Sequence, residues 1–186
     1  EIYKLDSRIV ITPNIDKIYE QYAMTESHSS VVAKSYYEDD IAKYLRTSDY
    51  LIIRAHGHTD ETAKLVFTQK QYNQARCNYS SFYKLLDALI LTHTFIFLGC
   101  GINDPDIKIT LENSNFLYPG ARPHYFVTAE GAYEPAVSKV LFNNRNLELL
   151  TYENPDGTHT KLLESLKELN QLVEEARVTI RNNQTW

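Results

Sequence analysis

Short β-branched runs alternate with stretches of helical period along almost the whole chain. Ile, Val and Thr cluster in RIVIT at 8–12, and a second run, YLIIRA, fills 50–55. TFIFL at 94–98 is apolar without interruption, the pattern of a strand covered on both faces. YFVT at 125–128 and LELLTY at 147–152 complete the strands. Between them lie helical periods. In 80–91, Phe82, Leu85, Leu86, Leu89 and Ile90 recur at the three- and four-residue spacing of one helix face. Asp104-Pro105 reads as an N-cap followed by the N1 proline of another helix, with Ile107, Leu111 and Ser114 on one stripe. Further helices are expected over 15–23, 134–142 and 159–176, with a helical turn at 68–75. Residues 25–40 read as polar and irregular. Such alternation specifies an α/β fold: a Rossmann-like, mostly parallel sheet with helices on both faces.

Bulk properties narrow the class. The 186 residues suffice for one domain, expected to span 1–178 with a frayed C-terminal tail at 179–186. At 43% hydrophobic and 23% charged the composition is globular, and a net charge of −5 gives no nucleic-acid or anionic-membrane signature. No apolar run reaches transmembrane length, and no secretory leader is expected. Two cysteines, Cys77 and Cys100, make neither a disulfide framework nor a C-x-x-C zinc module. A reducing, cytoplasmic setting fits that usage.

In parallel sheets, ligands bind outside the carboxyl ends of the strands. After RIVIT come Asn14 and Asp16; after YLIIRA come His56, Gly57 and His58; after TFIFL come Gly99, Gly101 and Asn103. All three segments therefore belong to one edge. His56 is a candidate general base, or a structural histidine holding a loop. Asn14 can orient a water or a sugar hydroxyl. Asp16 can accept the N–H bonds of a carboxamide, or cap the helix that follows. The glycine turn, backed by the helix at Pro105, can approach an anion, or serves as a plain strand-to-helix turn. His58 reads as a surface residue. His56-x-His58 matches no zinc spacing, so no metal is expected.

These motifs together resemble the sirtuin-like family. ITPNID (11–16) looks like its strand-end T-x-N-x-D motif, and RAHG (54–57) like its H-G motif. FLGCGINDPDI (97–107) and LVFTQKQYNQ (65–74) are similar to the prokaryotic branch. The resemblance spans about residues 8–153. It implies Asn14 and His56 as catalytic residues, Asp16 at the nicotinamide carboxamide, Thr12 on the same wall, and Gly99, Gly101 and Asn103 at the adenosine ribose and phosphates. The four-cysteine zinc module of sirtuin deacylases has no counterpart here, which argues against protein deacylation. The implied activity is instead NAD⁺ hydrolysis to nicotinamide and ADP-ribose, of the kind used in antiphage defence, with NAD⁺ as substrate and no metal. The family opens with a strand and a glycine-rich pyrophosphate loop, and nothing like them precedes Arg8. That upstream segment is expected to be missing from this sequence, and it or other domains are expected as partners, together with a homo-oligomer. A non-catalytic nucleotide-binding or regulatory module is the alternative, and a purely structural assembly domain the third reading.

Overall fold

The structure, a computed structural model, describes residues 1–27 and 30–183. After a 3₁₀ turn at Tyr3–Leu5, the first half contains β1 (Ile9–Thr12), α1 (Ile18–Glu26), β2 (Val31–Ser35), α2 (Ile41–Tyr44) and β3 (Tyr50–Arg54). A 3₁₀ turn at Thr62–Lys64 leads into α3 (Gln69–Asn78) and α4 (Ser80–Thr92). The second half contains β4 (Ile96–Phe97), α5 (Pro105–Leu117), β5 (His124–Ala129), α6 (Pro135–Arg145), β6 (Leu147–Tyr152) and α7 (Thr160–Asn183). The strands pair in parallel throughout, in two three-stranded ladders of order β1-β3-β2 and β4-β5-β6. The expected α/β, Rossmann-like class holds, with the pairing divided between two ladders.

Strand β3 shows why the sequence folds this way. It lies between β1 and β2, and Leu51, Ile52 and Ile53 are completely buried. Successive side chains point to opposite faces. Leu51 and Ile53 accordingly join Tyr72, Ala75, Phe82, Tyr83 and Leu89 from α3 and α4 on one side. Ile52 joins Ala23 of α1 and Val31 on the other. A second core of Ile90, Leu111, Phe126, Leu141 and Leu147 lies under α4, α5 and α6. The helices thus cover both faces of β3, as expected of a continuous apolar run.

Arg54 interrupts that run and is nevertheless buried, at 9% exposure. Its Nε and Nη2 donate to the two carboxylate oxygens of Glu20 on α1, at 2.7 and 2.6 Å, and Nη1 donates to Ser35 Oγ at 3.2 Å. The guanidinium fork matches a carboxylate bidentately, which is what permits the charge inside.

Three expectations of the fold need correcting. TFIFL at 94–98, expected as a strand covered on both faces, pairs only over Ile96–Phe97, and Ile96 is 47% exposed. Residues 31–35 were expected to be irregular but form β2, paired with β3 from Val31↔Tyr50 to Ser35↔Arg54. Only Val31 and Val32 are β-branched, so the strand owes its existence to the open edge of β3 rather than to propensity. Residues 179–183, expected in a frayed tail, continue α7 as far as Asn183, while 184–186 lie outside the described residues. Near the middle of this helix, Asn170 donates to the Glu1 carbonyl and carboxylate, and Arg177 donates to the Leu5 carbonyl. Both side chains fasten the helix to the N-terminal turn.

Candidate functional site

At the carboxyl end of β1, Thr12 Oγ1 accepts the Asn14 N–H at 3.1 Å, and one Asp16 oxygen accepts the Ile18 N–H at 3.0 Å. Asp16, one residue before the Lys17 N-cap, therefore satisfies the first N–H of α1, and no hydrogen bond to its second oxygen is found among the described residues. Asn14 and Asp16 are exposed, while Thr12 is half-buried. The adjacent end of β3 is level with them, since Thr12 pairs with Arg54 and the Ala55 N–H donates to the Thr12 carbonyl. The Thr59 N–H also donates to the Ile15 carbonyl, tying the two post-strand loops together.

His56 follows β3 by two residues and is 6% exposed. Gly57 then turns the chain with φ +80°, a conformation glycine adopts without penalty. The position also demands glycine for space, because an added Cβ would meet the Lys64 carbonyl oxygen at 2.8 Å. The sharp turn lets the His56 carbonyl accept the Val66 N–H at 3.2 Å, fixing the histidine backbone.

The imidazole faces two carboxylates from the other half of the chain. His56 Nε2 lies 3.5 Å from Asp104 Oδ2 and 3.8 Å from Asp106 Oδ2, both in the segment after β4. Its ring stands edge-on to Tyr72 of α3, with centroids 5.1 Å apart. Tyr72 Oη donates to Asp104 at 3.0 Å, and Tyr83 Oη donates to Asp106 at 3.1 Å. Arg76 Nε donates to Asp106 Oδ1 at 2.8 Å. The Arg76 guanidinium also lies 4.8 Å over the Tyr83 ring. Asp106 is only 4% exposed, so this ion pair and the tyrosine hydroxyl are what make its burial tolerable. Burial, then the charge of Asp104, push the Tyr72 hydroxyl well above its ordinary value; burial and Asp106 do the same for Tyr83. Both tyrosines consequently remain protonated donors to the carboxylates at neutral pH.

The glycine turn after β4 is open. Gly99 has φ +63°, which explains a glycine there, and no atom lies within 4 Å of an added Cβ at either Gly99 or Gly101. Gly101 and Asn103 are exposed. The N-terminus of α5 is already occupied by the protein: Asp104 Oδ1 accepts the N–H groups of Asp106 and Ile107 at 2.9 and 3.1 Å. The Asp104-Pro105 cap is as the sequence implies, and it meets the first orphan donors of that helix with a carboxylate.

The structure thus sets the segment carrying Asn14 and Asp16 next to the one carrying His56, through the Thr12↔Arg54 register and the bond from the Thr59 N–H to the Ile15 carbonyl, and brings His56 Nε2 to 3.5 Å from Asp104. Among the described residues, no hydrogen bond or ion pair links Asn14 or Asp16 to Gly99, Gly101 or Asn103. His58 is corrected: expected at the surface, it is 8% exposed, with Nε2 3.2 Å from Tyr37 Oη and 3.7 Å from Glu61. Tyr72, Arg76, Tyr83 and Asp106 escape the sequence reading. Tyr72 and Arg76 are spaced i, i+4 on one face of α3, a signal that could have paired them with a buried partner.

One nitrogen of His56 and one oxygen from each of Asp104 and Asp106 lie within 4.8 Å of one another, close enough to share a cation. Arg76 already supplies a positive charge 2.7 Å from Asp106, and the tyrosine hydroxyls engage both inner oxygens.

A SIR2-like domain family model matches residues 8–150. The chain is 28% identical over 118 residues to the NAD(+) hydrolase ThsA of Enterococcus faecium, covering 62% of this chain and 24% of that protein. It is 20% identical over 117 residues to the NAD(+) hydrolase ThsA of Acinetobacter baumannii (strain 532279), with the same coverage of 62% and 24%. The chain therefore spans about a quarter of the length of the curated relatives it matches.

Proposed function

Because the chain belongs to the SIR2-like domain family, we propose that it carries the nicotinamide–ribose cleaving site of an NAD⁺ hydrolase. The observation that supports this most is His56. It is a buried imidazole just past the carboxyl end of a central parallel strand, with two carboxylates 3.5 and 3.8 Å from Nε2. The matched relatives are named as NAD(+) hydrolases.

The chemistry asks little of an acid. Nicotinamide leaves as a neutral molecule, so the demand is to stabilise an oxocarbenium-like state and to place a water. Asn14 orients the water through its amide. His56 accepts the proton from that water or from a ribose hydroxyl. The free oxygen of Asp16 receives the carboxamide N–H, and Thr12 lines the same wall. The open turn at Gly99 and Gly101, with Asn103, receives the adenosine ribose and phosphates. With Asp104 capping α5, the phosphates rely on the turn rather than on that helix end.

The proposal extends to a prokaryotic defence effector acting in the cytoplasm as a homo-oligomer, with upstream or additional domains completing the nucleotide site. Among the described residues no helix is long and apolar enough to cross a membrane. The test is to incubate the protein carrying this chain with NAD⁺ and resolve products by chromatography. Nicotinamide and ADP-ribose in equal amounts are expected. Calorimetric binding of NAD⁺ with no nicotinamide released would replace hydrolysis with nucleotide binding alone.

A further inference from the structure

Asp104 and Asp106 each use one carboxylate oxygen within the fold and turn the other toward the same nitrogen of His56. Asp104 Oδ1 caps α5, and Asp106 Oδ1 takes Arg76 Nε at 2.8 Å. The inner oxygens, Oδ2 in both cases, lie 3.5 and 3.8 Å from His56 Nε2. Each inner oxygen also accepts a tyrosine hydroxyl, from Tyr72 at 3.0 Å and from Tyr83 at 3.1 Å. An ionised carboxylate is an acceptor only, and hydroxyl donors already point into these two. A nitrogen lone pair aimed at the same two oxygens would be repelled. Nε2 must therefore bear the hydrogen. A neutral imidazole has a single N–H, so the lone pair then resides on Nδ1.

We infer that Asp104 and Asp106 are positioning residues that lock His56 in its Nε2–H tautomer, which makes Nδ1 the nitrogen that accepts the proton during NAD⁺ cleavage. The second clause rests on the NAD⁺ reading above; the tautomer does not. Tyr72 completes the lock, since its edge-on ring, at 84° to the imidazole, opposes rotation of the histidine out of plane. The division of labour is that of a carboxylate orienting a catalytic imidazole. Here the carboxylates have their own supports: Arg76 for Asp106, and the first turn of α5 for Asp104. When Nδ1 takes a proton, the charge that appears on the ring faces both inner oxygens. Tyr72 comes from α3, shortly after RAHG, and the two carboxylates come from the start of α5, beyond β4. A base presented at the end of β3 is thereby oriented by carboxylates of the other half.

The test has two readouts. Long-range ¹H–¹⁵N correlation spectra assign the His56 tautomer directly, with His56→Gln identifying its signals among the 6 histidines. The inference expects the hydrogen on Nε2 and a bare Nδ1; the reverse assignment overturns it whether or not NAD⁺ is cleaved. Asp104→Asn keeps an N-cap for α5, because asparagine caps as well as aspartate, and removes one acceptor from the lock. The expected outcome is a kcat about 10²-fold lower with KM for NAD⁺ nearly unchanged, and a mixed tautomer at His56. An unaltered kcat overturns the positioning role. Should wild type show the Nε2–H tautomer but release no nicotinamide, the lock stands and the NAD⁺ reading fails.

Discussion

Replacing Gly57 with alanine tests how tightly the backbone around the base is built. An ideal Cβ at this position would sit 2.8 Å from the Lys64 carbonyl oxygen and 3.3 Å from its carbonyl carbon. Both are backbone atoms, so no side chain can swing aside. The residue also has φ +80°, where an L side chain costs about 1–2 kcal/mol. Relief of the clash by a backbone shift adds roughly 1–3 kcal/mol, as for other overpacked sites. The total, about 2–5 kcal/mol, corresponds to a Tm lower by roughly 4–20 °C for a chain of this size. The same shift would disturb the bond from the Val66 N–H to the His56 carbonyl, so His56 loses its backbone anchor. Calorimetric or circular-dichroism melting of wild type and Gly57→Ala measures the effect. A Tm within about 1 °C of wild type would refute the account of this turn, and with it the claim that the turn brings the His56 carbonyl to the Val66 N–H.

Other perturbations probe the rest of the fold. Arg54→Leu strands the buried Glu20 carboxylate and is expected to cost about 3–5 kcal/mol in denaturant unfolding, whereas the Glu20→Leu, Arg54→Leu double variant should recover most of that loss. His124 is buried with Nδ1 accepting the Phe95 N–H at 3.1 Å, and burial lowers its pKa from the ordinary 6.5. The unfolded chain therefore binds the proton first as pH falls, so the stability this residue contributes is present above 6.5 and is lost on acidification toward the lower folded value. NMR titration of the His124 ring checks the direction: a midpoint above 6.5 would contradict it.

How much could be read beforehand depended on where each signal lay. The core of β3 was legible because Leu51, Ile52 and Ile53 form an unbroken apolar run, and α4 because its five apolar residues keep one helical face. Asp104-Pro105 was legible as a cap because capping is local chemistry. β2 was not, since VVAKS has weak strand propensity and exists through pairing with a partner whose edge the local sequence cannot display. His58 looked exposed beside Asp60 and Glu61; only the tertiary placement of Tyr37 buries it. The lock on His56 was hidden for the same reason. Arg76 and Asp106 are 30 residues apart, and on α3 the arginine reads as one polar residue among many. Sequence reading placed His56 at the strand end and missed the carboxylates and the tyrosine that surround it.

The central claim is that His56 is the base of an NAD⁺-cleaving site. Nicotinamide release from NAD⁺ by the protein carrying this chain, compared with its His56→Ala variant under single-turnover conditions, tests it most directly. The account predicts turnover by wild type and a rate lower by about 10²–10⁴ in the variant, with an unchanged circular-dichroism spectrum. Equal rates for the two proteins would contradict it.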